Sequence, residues 1–509
     1  MKLLVLLEKA YQFVPLTFPH ESMLPSAHFT FTYKKEIFMK KTALSLALGL
    51  IISTSAFAEA GDKFNTQQVE PFSGKVLVEG LQSPWDMAID RNGQLWVTEV
   101  GGNILLVDSE TGKHQIIHHF DDVVNGGQQQ GLLGLTLDPN FLSGKGDNIL
   151  YAAYAYKGKD GQEHTKIVKL TLDKTARKVE KTDIVLDNLA SFTDHQGGRL
   201  RLGPDGKLYY TIGNQGANQY SRTCYADRAQ RLPTQQEVDN KDFAAYEGKT
   251  LRFNVDGSIP EDNPVINGVK SHVYTYGHRN PQGIVFVGDK LFQEEQGPGS
   301  DDEVNLLEAG ANYGWSHVAG YPDNQNYVYT SYATAEKCNT LPETIGDTKF
   351  ETSGGAAPNK MVAQKETDFK QEENYRNPLK TFFTVRNGHN MFDPNCPDSG
   401  YLCWPTAALS SIAYYPKDGK VKEWRNSILV SGLKSGGIYR MPLNGNSDDV
   451  QGELYKHFTS PNRYRNVEVN QDGSKIYVMT DTAGASLGLD GKQNMQMQNS
   501  GAILVFEAK

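Results

Sequence analysis

Only four of the 509 residues are cysteine. One short pair exists among them, Cys396 and Cys403, and no second short pair completes a four-ligand zinc site. Positive charge is also in short supply: 51 Lys and Arg against 60 Asp and Glu leave a net charge of -9, with a pI near 5.8. That balance argues against a nucleic-acid partner. No segment shows helical periodicity long enough for a major helix. Long apolar runs are absent too. The longest, Ala43 to Ile52, falls short of the roughly 20 residues a spanning helix needs, which disfavours a membrane anchor.

That run has a different reading. Met39-Lys40-Lys41 precede it, and Ser53-Thr54-Ser55-Ala56-Phe57-Ala58 follow. A basic start, an apolar middle and an Ala-x-Ala end make residues 39–58 a secretory signal peptide. Residues 1–38 then read as an over-extended start, and residues 59–509 as the mature chain, periplasmic or secreted, with no membrane span. An oxidising compartment permits disulfides. Cys396 and Cys403 flank the turn Pro397-Asp398-Ser399-Gly400 and suit a local bridge, while Cys224 and Cys338 are available for a second whose pairing the sequence leaves open.

Glycine (49) and tyrosine (25) are plentiful, and strand-like runs are short, which suits an all-β fold with many turns. One theme recurs: an apolar strand, a turn containing Asp, Asn or Gly, then an aromatic-rich strand. Residues 84–98, 197–211 and 466–480 are clear copies, and 131–153, 283–293 and 410–431 are looser ones. Asn-Gly or Asp-Gly between alternating strands is a hairpin signal. About six copies at irregular spacing predict a six-bladed β-propeller with long inter-strand loops, and the repetition argues against a sandwich. The last strand, 502–506, is expected to close the ring by pairing with the strand near 75–78.

The stretches between hairpins carry the unusual residues. In Asp194-His195-Gln196-Gly197-Gly198-Arg199 an acid directly precedes a histidine. A carboxylate can orient an imidazole and raise its basicity, so His195 is a candidate general base. Taken alone, such a pair is more often a hydrogen-bonded turn. Four more polar stretches occupy equivalent places: 125–131, 213–220, 277–283 and 295–303. Loops at one end of a propeller converge on its axis, so these can form one site.

Together these stretches resemble the soluble glucose dehydrogenases dependent on pyrroloquinoline quinone (PQQ) and the related aldose sugar dehydrogenases. The matching segments are Gln129 to Gly134, Asp194 to Gln219, Tyr274 to Gln282, Gln296 to Asn305, Tyr401 to Thr406 and Arg463 to Arg465, in the same order along the chain. The resemblance implies oxidation of an aldose at C1 to the lactone, with electrons passed on to an external acceptor. His195 would remove the hydroxyl proton while hydride passes to the quinone. Asp194, Gln129 and Gln219 would contact the sugar, and Arg279 would lie beside both sugar and cofactor. Asn280, Tyr401, Thr406, Lys434, Arg463 and Arg465 would hold the carboxylates and polar edge of PQQ, for which arginine forks are suited. The backbone carbonyls of Gly297 and Pro298 would hold a calcium ion beside it, as suits a hard cation. Glu303, Tyr313, Ala319, Asp323 and Glu366 would form a second calcium site near a homodimer interface. Cys396 and Cys403 match the family's short disulfide loop.

Several residues read differently in isolation. Arg463-Tyr464-Arg465 alone suits an exposed strand, and Asp301-Asp302-Glu303 a solvated loop. Others depart from the family pattern. Cys224 and Cys338 have no counterparts there, Tyr220 replaces an apolar residue, and Asn214 replaces an acid. Two alternatives compete. A calcium-dependent propeller lactonase needs no cation cluster for a tricarboxylate. A non-catalytic sugar-binding propeller needs no combination of His195, Arg279 and Gly297-Pro298.

Overall fold

The computed structural model describes residues 64–127, 129–340, 362–389, 402, 404–434, 436–488 and 492–509. The signal-peptide segment, Tyr401, Cys396 and Cys403 lie outside these residues. Among the described residues, no helix is long and apolar enough to cross a membrane.

The six sequence copies are the first two strands of six blades. Five sheets have four strands and the sixth has five. Blade 1 begins with Pro84–Ile89, blade 2 with Leu132–Leu137, blade 3 with Gly197–Leu202, blade 4 with Pro281–Val287, blade 5 with Leu409–Tyr415 and blade 6 with Tyr464–Val469. Each first strand touches the first strand of the next blade, and blade 6 returns to blade 1, so these strands line the axis. Within each pair the strands run antiparallel. The ring closes as expected: Ile503–Ala508 pairs with Phe72–Val78 and completes blade 6. Closure leaves no open sheet edge around the axis. One strand was not foreseen, the two-residue Phe64–Asn65, which adds in parallel to Leu454–His457 on the outer edge of blade 5.

Apolar side chains are buried between the blades. Apolar clusters sit at successive blade contacts, for example Trp96, Leu135 and Leu150 between blades 1 and 2, and Phe292, Ile412 and Ile428 between blades 4 and 5. A polar lock fastens the axis. Fully buried Asp86 of blade 1 accepts from Arg199 and Arg201 of blade 3 and from Asn466 of blade 6 at 3.0 Å. Arg199 also donates to the carbonyls of Gln282 in blade 4 and Ser410 in blade 5. A buried charge set bonded this fully specifies the arrangement of the blades.

Blade 4 carries a long insertion between its third and fourth strands, Asp302–Leu307 and Lys380–Phe382. A Cys224–Cys338 disulfide ties it to the loop leaving the second strand of blade 3. Asn218 seconds that tie by donating to the Thr330 carbonyl and accepting from the Tyr332 backbone amide, both at 2.8 Å.

Candidate active site

In an antiparallel blade, the chain entering the first strand and the chain leaving the second lie at the same end. Most residues expected to meet sugar and cofactor fall in one of those two places, whereas Arg465 lies within a first strand, Glu303 in a third strand, and Tyr313, Ala319, Asp323 and Glu366 in the blade 4 insertion. Gln129, His195, Arg279, Thr406 and Arg463 precede first strands; Gln219, Gly297 and Lys434 follow second strands. The topology therefore gathers them at one end of the axis, around a cavity of about 380 Å³. Gln129, Asp194, His195, Gln219, Arg279, Gly297, Thr406, Arg463 and Arg465 line it. Asn280, Pro298 and Lys434 are not among the lining residues.

His195 sits at φ 49°, immediately before blade 3. Its loop folds so tightly against the chain leaving the second strand that a Cβ on Gly213 would lie 2.1 Å from the His195 carbonyl oxygen. Only glycine fits there. The imidazole is buried, with Nδ1 2.7 Å from Asn214 Oδ1. An oxygen acceptor at that distance puts the proton on Nδ1 and leaves the lone pair on Nε2. Gln219 Nε2 donates to His195 Nε2 at 3.1 Å and to Asp194 Oδ2 at 2.9 Å, and Gln219 Oε1 accepts from Arg279 at 3.1 Å. Gln129 donates to Asp194 at 3.2 Å and accepts the His195 backbone amide at 3.1 Å. The six side chains form one network. Burial, then the Arg279 charge, push the His195 pKa down to about 4, against the pull of Asp194 and the Asn214 bond. The imidazole is therefore neutral near pH 7, as a base must be. Burial would raise Asp194, but His195, Arg279 and the Gln219 bond outweigh it and hold the carboxyl below its usual range.

Another part of the lining is cationic and far from an exposed strand: Arg463 and Arg465 are 8% and 2% exposed. Both converge on Asp481, which accepts from Arg463 Nε at 3.1 Å and from Arg465 at 2.7 and 3.0 Å. Lys434 donates to the Trp404 carbonyl, and burial lowers its pKa to about 7 despite the Asp302 charge. Asn280 donates to Gln129 and Gln296 at 3.3 and 3.1 Å, linking the sugar-side residues to the Gln296 turn.

That turn is compact. A Cβ on Gly297 would lie 1.9 Å from the Ser300 carbonyl oxygen. Asp302 pins it, accepting from the Gly297 amide at 3.0 Å and from the Ala407 and Ala408 amides at 2.8 and 3.0 Å. Burial raises the Asp302 pKa to about 6. The acidic run is thus buried rather than solvated: Asp301, Asp302 and Glu303 are 2%, 0% and 7% exposed. Glu303 accepts from the Gly320 amide at 2.6 Å, and Glu366 from the Ala319 and Asn324 amides at 3.0 and 2.8 Å. Burial and neighbouring acids raise Glu366 to about 8 and Asp301 to about 7. Among the described residues no three His, Cys, Asp or Glu side chains converge as a metal cluster. Asp323 is not drawn into a carboxylate trio with Glu303 and Glu366, and the Tyr313 side chain is spent on the Leu306 carbonyl at 2.6 Å.

Three residues of the site escaped the sequence reading. They are the acids Asp227, Asp302 and Asp481, and only Asp302 lay in a stretch already singled out.

The family model for glucose / sorbosone dehydrogenase matches residues 81–374 and 369–488. Quinoprotein glucose dehydrogenase B of Acinetobacter calcoaceticus is 40% identical over 484 residues, 92% of this chain and 98% of that protein. An aldose sugar dehydrogenase of Escherichia coli is 26% identical over 421 residues, 81% of this chain and 91% of its own length. Among solved structures, the PQQ-bound aldose sugar dehydrogenase of Streptomyces coelicolor superposes with a TM-score of 0.55 at 23% identity, over 86% of this chain and 98% of that one. It shares the propeller fold. Cavity, loop order and sequence agree, and the chain belongs to the glucose / sorbosone dehydrogenase family, an oxidoreductase family of quinoprotein sugar dehydrogenases.

Proposed function

We propose that this chain oxidises the C1 hydroxyl of an aldose to the lactone, using PQQ and calcium. The observation that carries the reading is the cavity itself, lined by both a neutral imidazole and two buried guanidiniums. The donor set fits the cofactor. Arg463 and Arg465 suit a polycarboxylate, with Lys434, Asn280, Tyr401 and Thr406 as the polar remainder. The Gly297 turn, whose side-chain space is filled by its own backbone, suits ligation by the carbonyls of Gly297 and Pro298. PQQ bound beside calcium supplies an electrophilic two-electron acceptor.

The residues of the chain do the rest. His195 Nε2 takes the proton from the C1 hydroxyl. Gln219, Asp194 and Gln129 orient the sugar, since each lines the cavity beside His195. Arg279, also in that lining, stabilises negative charge that develops opposite the base. Glu303, Asp323 and Glu366, with the backbone oxygens of Tyr313 and Ala319, would hold a second, structural calcium, which would offset the acid–acid repulsion that, with burial, raises the Glu303 and Glu366 carboxyls. The Cys224–Cys338 bridge supports export by the signal peptide at 39–58, with residues 59–509 acting in the periplasm or outside the cell, as a homodimer, with electrons passing to an external quinone or cytochrome acceptor.

Spectroscopy tests this. PQQ and calcium added to purified protein should give a bound quinone absorbance that an aldose bleaches, and His195→Ala should bind PQQ without rapid bleaching. Failure of PQQ to bind in the presence of calcium, or a bound quinone that no aldose bleaches, overturns the reading.

A further inference from the structure

The loop after Leu208–Ile212 carries a polar pair on the far side of His195 from the cavity. We propose that Asp227 is a positioning residue: acting through the Asn214 amide, it holds His195 in the tautomer whose Nε2 carries the lone pair. The proposal rests on His195 being the base.

The hydrogen bonds leave one consistent assignment. Asp227 Oδ1 accepts from the Ala229 backbone amide at 2.7 Å, and Oδ2 accepts from the Trp315 indole at 2.9 Å. Those two groups can only donate. The third contact, Asn214 Nδ2 to Asp227 Oδ2 at 2.6 Å, therefore turns the NH₂ end of Asn214 toward the carboxylate. A flipped amide would set oxygen against oxygen at that distance. With Nδ2 so held, Asn214 Oδ1 faces His195 Nδ1 at 2.7 Å, and Asn214 itself is fully buried. The proton goes to Nδ1, and the lone pair to the cavity side.

The arrangement also separates orientation from charge. An acid in direct contact with an imidazole favours its protonated form. Here the acid lies one residue further out, and the neutral amide passes on the orientation. The charged groups facing His195 are Asp194 and Arg279. Those facing Asp227 are Lys249 and Glu247, with His317 nearby. Lys249 fixes the loop by donating to the carbonyls of Arg228, Ala229 and Glu247 at 3.0, 2.8 and 2.8 Å. The acid that the family pattern places at 214 is thus supplied from 227.

The test uses the full chain loaded with PQQ and calcium, with kinetics and ¹⁵N NMR of the histidine rings. In Asp227→Ala the amide is released, the Nε2-protonated tautomer of His195 should appear, and kcat should fall about 10- to 100-fold with KM for sugar little changed. Asn214→Asp alone sets two carboxylates together and should lose activity similarly. The swap Asn214→Asp with Asp227→Asn restores a donor–acceptor contact. It should recover most of kcat while moving the acid limb of kcat/KM to higher pH. A swap no better than Asn214→Asp alone overturns the proposal, as does Asp227→Ala with unchanged kcat and tautomer. Because the swap keeps both side-chain shapes, it decides the matter even where Asp227→Ala does not fold. His195→Ala that remains active would instead sink the reading of His195 as base.

Discussion

Replacing Asp481 by asparagine should weaken the apo-protein and sharpen its response to PQQ. Asp481 is 2% exposed and accepts three bonds from Arg463 and Arg465. Asparagine keeps the shape but removes the negative charge the two buried guanidiniums share. Breaking a buried ion pair costs about 3–5 kcal/mol. Unfolding entropy for a chain of this size is roughly 1 kcal/mol/K, so Tm should drop by about 3–5 °C. The carboxylates of PQQ would then take over part of that neutralisation. A ligand at a hundredfold its Kd stabilises by about 2.7 kcal/mol, and Asp481→Asn should gain more than wild type at the same PQQ concentration. Arg465→Met should gain less, because it removes a cation from the cavity wall. Scanning calorimetry with calcium, with and without PQQ, reads all three. An Asp481→Asn Tm within a degree of wild type would refute the electrostatic reasoning. So would Arg465→Met responding to PQQ as strongly as wild type.

Three further outcomes are expected. Removing the Cys224–Cys338 bridge, which closes a separation of 114 residues, should cost about 4–5 kcal/mol by chain entropy, read as a lower urea midpoint. A loss below about 1 kcal/mol would show that the native contacts of Asn218 already hold the loop. The acid limb of kcat/KM should lie near pH 4 rather than near the ordinary histidine value, because burial and Arg279 lower the His195 pKa; Arg279→Gln should move the limb upward, and a limb that stays put contradicts that cause. In calcium-free buffer, stability should fall as pH rises from about 4.5 to about 8, since folding raises the Glu366 pKa from 4.5 to about 8 and the folded state holds the extra proton across that range. Calcium should flatten that slope, and a slope unchanged by calcium would argue against a cation at Glu303 and Glu366.

The hairpin repeats made the propeller legible, because Asn92-Gly93, Asp205-Gly206, Asp418-Gly419 and Asp472-Gly473 each turn between the first two strands of a blade. The two-residue strand at Phe64 and the long insertion in blade 4 carried no such mark. The site was legible as a set of loops. Gln129, Asp194, His195, Gln219 and Arg279 do meet, since a ring of hairpins brings every loop of one kind to one end. What stayed hidden was pairing. Asp481 stands across one hairpin from Arg463 and Arg465, and Asp227 shares a loop with Asn214, but hairpin register and loop folding set those contacts and no motif in the sequence marks them. The acidic run at 301–303 reads as solvated for the same reason: its donors are backbone amides at 297, 320, 407 and 408.

The central claim is tested most directly by dye reduction with purified apo-protein and a series of aldoses, with PQQ and calcium added singly and together. Activity that requires both additions and disappears in His195→Ala is the predicted result. No reduction of dye by any aldose, with both PQQ and calcium present, would contradict the account.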